Sequence, residues 1–448
     1  MLICKVLEWA SVFLHTPFQV IVISSYSKLL MAGTRLHVYF AVVQAIVILP
    51  KPVSLHYINN QPPAHTIALT VSQPLRKAQQ QKFKSLATES RVIAMGWAKK
   101  HDSHSMTSDW TLQDKSQWNL YQLLIDWNRF YPIIPWKALP VHLKTDKMPY
   151  MAPLSQHLFI IFYATVPLAL HQAYSSLTGH TVGSFMSFLL YGWAHLITSV
   201  REMLLLRRLI HKHGCLDGDV HHRDGIPNTG ARKVLVGPPK TAFFRLALAV
   251  SLTYDSHTSP LDAMTDISCW PVSFLKLCLY GITLDFWFYI YHRACHEIPF
   301  MWKYHRTHHL SKHPTAAMAA WADDEQEVTE MVLIPLFTFA TFWSVGLELG
   351  FYEWWICSEY IVFSEVIGHS GIRVHVIVPS PISWLLCLCD AELAIEDHDL
   401  HHRFGWRKSF NYGKQTALWD KIFSSKSPRL ESRESNVDYE DIVWMPIF

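Results

Sequence analysis

Charge is scarce in this sequence. Of its 448 residues 17% are Asp, Glu, Lys or Arg, and the signs nearly cancel, with 39 basic side chains against 36 acidic ones. Nucleic-acid binding needs a concentrated basic face, so the composition excludes that class. The eight cysteines contain no C-x-x-C pair, which excludes a zinc ribbon, a redox dithiol and a compact disulfide framework. There is no H-E-x-x-H, so the metalloprotease signature is missing as well. No internal repeat, Gly/Ser linker or low-complexity block interrupts the chain, and an aromatic content of 13% excludes general disorder.

The chain is instead rich in apolar runs and histidine. Half of it is hydrophobic, and there are 27 histidines. Mean hydropathy is +0.11. Runs of bilayer length cover 157–174, 181–200, 269–291 and the long region 331–368. The last contains Glu348, Glu353, Glu359 and Glu365, so it is either two crossings or a hairpin with its polar faces buried in protein. The run 242–254 is shorter and fits a re-entrant or interfacial segment as well as a span. The loop region 201–240 holds eight Lys/Arg, which marks it as cytoplasmic, and paired apolar segments on either side return the chain to that face. The expected fold is all-α and integral to the membrane, with roughly four transmembrane helices beneath a cytosolic helical cap.

The expected domains are an N-terminal extension (1–105), a segment with the first hairpin and basic loop (106–240), a catalytic region (241–423) and a charged, solvated tail (424–448). The extension reads equally as a signal anchor or as an over-extended gene start, with Met106 the initiator.

The histidines cluster. His292 and His296 end the apolar run 269–291, His305, His308 and His309 follow, and His398, His401 and His402 repeat the H-x-x-H-H spacing about ninety residues later. Residues three and four apart share a helix face, so each box aims imidazoles at a common point, the arrangement a metal needs. Imidazole suits iron, copper or zinc, and this many ligands exceeds one hydrolytic zinc site and suggests two metals. His211, His213, His221 and His222 read as solvated loop histidines, and His313, before Pro314, as a cap or surface group. Asp285 lies two turns before His292 on the same face. It is placed either to accept the second N–H of a ligand imidazole or to make a helix-end hydrogen bond.

Three stretches resemble the fatty acid hydroxylase/sterol desaturase family of membrane oxygenases, in its fungal-type fatty acid hydroxylase branch. They are Asp285-Phe-Trp-Phe-Tyr-Ile-Tyr-His-Arg-Ala-Cys-His296 with Tyr304-His-Arg-Thr-His-His309, then Glu396-Asp-His-Asp-Leu-His-His-Arg403, then Asn411-Tyr-Gly-Lys-Gln-Thr-Ala-Leu-Trp-Asp-Lys-Ile-Phe423. The resemblance implies a pair of iron ions on the boxes, O2 as co-substrate, a lipid substrate and the endoplasmic reticulum membrane. It adds His369, in Gly368-His-Ser-Gly371, as a ninth ligand. His375, six residues on where relatives have a histidine four away, is left out. Two electrons per turnover are expected from NAD(P)H through cytochrome b5 and its reductase, because His-Pro-Gly-Gly, the mark of a fused b5 domain, is missing. Arg293, Lys303, Arg306, Arg403, Arg407 and Lys408 either dock that donor or follow the positive-inside rule. Hydroxylation of a fatty acyl chain is the expected reaction. Sterol desaturation or C-4 methyl oxidation is the second reading, and a metal transporter or sensor the non-enzymatic one.

Overall fold

The computed structural model describes residues 106–448. The expected anchor or early start within 1–105 lies outside the described residues. A short helix α1 (Leu120–Trp127) opens on an Asn119–Gln122 capping box and precedes strand β1 (Met148–Met151). The long helices α2 (Pro153–Thr178), α3 (Ser184–His213) and α4 (Ala231–Thr253) follow. After the one-turn α5 (Pro260–Thr265) come α6 (Trp270–Glu297) and α7 (Pro299–His305). The short α8 (Asp324–Val328) passes through a π turn (Thr329–Leu333) into α9 (Ile334–Ser344), and α10 (Phe351–Gly368) follows after a turn at Gly346. The rest is α11 (Ser383–Leu388), α12 (Ile395–Phe404), α13 (Leu418–Ile422) and strand β2 (Val437–Val443).

Sequence chemistry explains the borders of the long helices. Pro153 sits in the first turn of α2, where its missing N–H costs nothing, and Gly179 ends it in the left-handed region at φ 69°. The outer face of α2 carries Leu154, Leu158, Ile161, Phe162, Val166 and Leu170, all exposed, while Phe159, Ile160 and Ala164 are buried. An exposed apolar face of that kind on a well-capped helix suits lipid better than water. Two stretches, Pro153–Thr178 and Ile267–Glu297 (which contains α6), are long and apolar enough to cross a bilayer. The region 331–368 folds as two successive helices, α9 and α10, each packed on α6, with Glu359 buried in the bundle against His195.

Two expectations change. His211 and His213 are not loop residues: they form the last turn of α3, where His211 Nε2 accepts from the Ile134 N–H at 3.1 Å. The tail 424–448 is no solvated end either. Strand β2 pairs in parallel with β1, Met148 opposite Val437, and Val437, Val443 and Met445 are buried. The buried Glu396 carboxylate takes the N–H groups of Leu430, Glu431 and Ser432 at 3.1, 2.8 and 2.6 Å. The tail's charges hid the few apolar positions, Val437, Val443 and Met445, that dock it.

Candidate metal centre

Each histidine is delivered by an element whose geometry the local sequence sets. The end of α6 presents His292 and His296 one turn apart, and α7 ends on His305. A 3-10 turn (His308–Leu310) carries His308 and His309, His369 caps the C-terminus of α10, and α12 holds His398, His401 and His402. All nine are buried.

They form two neighbouring groups. His292, His296, His305, His309 and His401 make one, and His308, His369, His398 and His402 the other, with candidate ligand atoms in each group within 4.8 Å of one another. Adjacent residues part company: His308 and His309 serve different groups, and so do His401 and His402. Successive side chains on a helical turn point about 100° apart, so a histidine doublet naturally faces two centres.

Six of the nine rings are fixed by the backbone. The Nδ1–H groups of His292, His296, His308, His369, His401 and His402 donate to the carbonyls of Tyr412 (2.7 Å), Trp406 (2.5 Å), Trp321 (3.0 Å), Glu365 (2.6 Å), Phe410 (2.6 Å) and Ser311 (2.9 Å). A carbonyl only accepts, so Nδ1 holds the proton and Nε2 is left with its lone pair. The Nε2 atoms of each group then come together. His308 Nε2 lies 3.3 Å from His369 Nε2, and His369 Nε2 lies 3.0 Å from His398 Nε2. In the other group His309 Nε2 is 3.1 Å from His296 Nε2 and 3.0 Å from His401 Nε2. His308 and His369 are both among the six fixed rings, so their Nε2 lone pairs face each other and repel unless a cation joins them; the other three contacts each include His309 or His398, whose Nδ1 has no carbonyl partner. With metal–nitrogen bonds of about 2.1 Å, ligand nitrogens stand about 3.0 Å apart at right angles and about 3.4 Å apart in a tetrahedron, which brackets these separations. The residues therefore fit a metal in each group.

Electrostatics agrees. Burial pushes His308 down to about 3, with the Lys414 ammonium adding to it. His305, His309, His398, His401 and His402 are likewise held well below the ordinary histidine range, first by burial and then by neighbouring imidazoles. Neutral imidazole is the form that binds metal.

Asp285 does not reach an imidazole. Its buried carboxylate accepts from the N–H groups of Lys414 (2.7 Å), Gln415 (2.9 Å) and Thr416 (3.1 Å) and from the Thr416 hydroxyl (2.7 Å). Asp420 grips the same loop through the N–H groups of Tyr412 and Gly413 at 2.8 and 2.7 Å. The two carboxylates set the loop whose Tyr412 carbonyl orients His292, so Asp285 acts at one remove. Gly413 is obligatory there, since a Cβ would strike the Thr416 carbonyl. The carbonyl partners themselves were invisible in the sequence, because every residue has one.

Other candidates fall outside both groups. His375 bonds Ser432. His313 Nε2 meets Asp217 at 3.1 Å, close to the exposed His221, but that carboxylate is already paired with Lys144 and Arg403. Arg403 is buried against Asp217 and Asp399, which removes it from the basic docking face; Lys303, Arg306, Arg407 and Lys408 stay exposed.

Comparison with known proteins agrees with this geometry. The fatty acid hydroxylase family model matches residues 277–425, which contain all nine histidines. The chain is 39% identical over 312 residues to fatty acid hydroxylase vlmA of a Lecanicillium species, covering 68% of this chain and 85% of that protein. It is 28% identical over 147 residues to the alkylglycerol monooxygenase of Homo sapiens, or 32% of this chain and 28% of that protein. The Xenopus tropicalis alkylglycerol monooxygenase is 26% identical over 156 residues, 33% of this chain and 30% of the relative. No solved structure matches. The chain belongs to the fatty acid hydroxylase family, and with it to the O2-dependent oxidoreductases.

Proposed function

We propose that this protein hydroxylates an aliphatic carbon of a fatty acid or fatty acyl chain, consuming O2, two external electrons and two protons and releasing the alcohol and water. The observation that carries this reading is the pair of adjacent imidazole groups, five and four strong, with six Nδ1–H groups tied to carbonyls. Iron in both groups, when bound, supplies the O2 activation. The protein's own work is to keep the imidazoles neutral and aimed, to hold the acyl carbon in register and to exclude water. Family membership and the two apolar helices make this a membrane protein.

On the same reading roughly four helical segments cross the endoplasmic reticulum membrane, α2 with α3 and α4 with α6, each pair returning the chain to the face of the basic loop, and α9 with α10 enters and leaves on that face too. The histidine boxes then lie at the cytosolic ends. The exposed Lys303, Arg306, Arg407 and Lys408 give cytochrome b5, reduced by NAD(P)H through its reductase, an acidic-partner docking face. Sterol oxidation and metal transport are not favoured, because the relatives are named for oxidation of fatty acids and alkylglycerols.

The test is expression in microsomes supplied with cytochrome b5 and its reductase, followed by lipid profiling with and without His308→Ala and His401→Ala. A hydroxylated fatty acyl product lost in both variants is expected. An altered sterol profile, or metal uptake with no oxidised lipid, overturns the proposal.

A further inference from the structure

Trp406 follows α12, four residues past His402, and is 38% exposed. Its backbone carbonyl accepts the Nδ1–H of His296 at 2.5 Å. Its indole meets that of Trp302 edge-on, with ring centres 4.9 Å apart. Trp302, on α7, lies one turn before His305 on the same helix face and is buried. Its ring centre stands 5.2 Å from the His296 ring and 5.8 Å from the His309 ring. The two indoles thus form an unbroken aromatic contact from the surface to the five-histidine group. Trp321, whose carbonyl holds His308 of the other group, is 2% exposed and offers a partner no edge.

The surface around Trp406 is basic. The Lys312 ammonium lies 4.8 Å from the centre of its ring and the Arg306 guanidinium 5.9 Å. Arg407 and Lys408, next in the chain, are exposed. The acids on this side are already engaged, Glu297 with Arg293 and Asp224 with Ser311 and the His313 N–H. Core packing explains Trp302, but not an exposed indole set among cations. Tryptophan and arginine together are the usual anchors of a protein–protein contact, and the charge selects an acidic partner. The hydroxylase reading requires two electrons from outside, and every candidate ligand is buried. Electron tunnelling falls exponentially with the gap, and less steeply through packed atoms than through empty space. Resting on that reading, we infer that an acidic haem-protein donor docks over Trp406 and that its electrons enter the five-histidine group by way of Trp406 and Trp302. Each encounter oxidises one ferrous haem to ferric and delivers one electron, with no bond formed and no proton moved. Two encounters supply a turnover. The indoles bridge the gap without being oxidised themselves, and the four-histidine group is reduced through its neighbour.

The test uses the full chain in detergent with the soluble domain of cytochrome b5 as donor. Ferric cytochrome b5 is expected to bind the metal-free chain with an affinity that falls as salt rises, and Arg306→Glu combined with Arg407→Glu to weaken it by about tenfold at low salt. Stopped-flow at the haem band, without oxygen, then follows oxidation of ferrous cytochrome b5 by the ferric iron-loaded chain. Trp302→Leu is expected to slow that oxidation several-fold at saturating donor, with iron content and donor affinity unchanged, and Trp302→Phe to restore most of the rate. Where Trp302→Leu also loses iron, Trp406→Leu, at the exposed end, carries the test with the same expectation. Wild-type rates in Trp406→Leu or in an iron-replete Trp302→Leu, or binding indifferent to salt, overturn the inference. Haem oxidation that depends on the indoles, with no hydroxylated lipid formed, supports the route and defeats the reaction. Hydroxylated lipid with unimpaired haem oxidation in both leucine variants defeats the route and spares the reaction.

Discussion

Replacing Asp285 by Asn keeps the shape of the side chain and removes one acceptor oxygen. In the better orientation the remaining oxygen still serves Lys414 and Gln415, the Thr416 hydroxyl turns to accept, and the Thr416 N–H faces the new amide donor with no acceptor. One buried donor stranded in this way costs about 1–3 kcal/mol, and the flipped amide strands two. The loop that loosens is the one whose Tyr412 carbonyl orients His292, so part of the loss passes to the five-histidine group. Losing such an orienting contact typically lowers metal affinity by about 10- to 100-fold. Competition of the purified full chain against a graded series of iron chelators measures this directly. With one iron in each group, as proposed, the expected outcome is one iron per chain released to a weaker chelator in Asp285→Asn and the other retained. Unchanged affinity for both irons would refute the account of Asp285 as the support of that loop.

Three further outcomes follow from the same structure. The metal-free protein should lose stability as pH falls from 6.5 toward about 3. Over that range the histidines of the unfolded chain bind protons that the buried, depressed ones refuse, so stability is full above the window and declines through it. Urea melts of chelated protein across a pH series check this, and a flat stability profile over that window contradicts it. Gly413→Ala drives a methyl group into the Thr416 carbonyl, and iron content per purified chain should fall in it while Ala417→Gly, a few residues on, keeps its iron. Glu396→Gln leaves at least one of the three N–H groups at 430–432 without a carboxylate oxygen, at a cost of about 1–3 kcal/mol. Limited proteolysis should then clip the C-terminal segment faster than in the wild type, and equal rates would count against the docked tail.

Much of the candidate site was readable in advance because its candidate ligands are side chains at helical spacing. The H-x-x-x-H and H-x-x-H-H boxes name eight of the nine histidines, and His369 came through the resemblance. The division into groups of five and four was not readable. It depends on the 3-10 turn at His308 and on how α12 faces that turn, and spacing alone carries neither. Asp285 was read as a carboxylate on the ligand face that meets an imidazole or makes a helix-end hydrogen bond, whereas it takes backbone N–H groups more than a hundred residues away, which leave no trace in composition. Arg403 looked like surface charge because it follows a histidine box, and only the packing of Asp217 and Asp399 around it reveals a buried ion pair. The long helices were legible from their apolar runs, whereas the docking of the tail rested on a strand pairing between distant segments.

The two histidine doublets work as yokes. His308–His309 and His401–His402 each set one foot at either metal position, and a single peptide step fixes the stride between them. A small roll of α12 that draws His401 inward swings His402 away, so neither position can be tightened without slackening its neighbour. Evolution or design must adjust the two sites as one object.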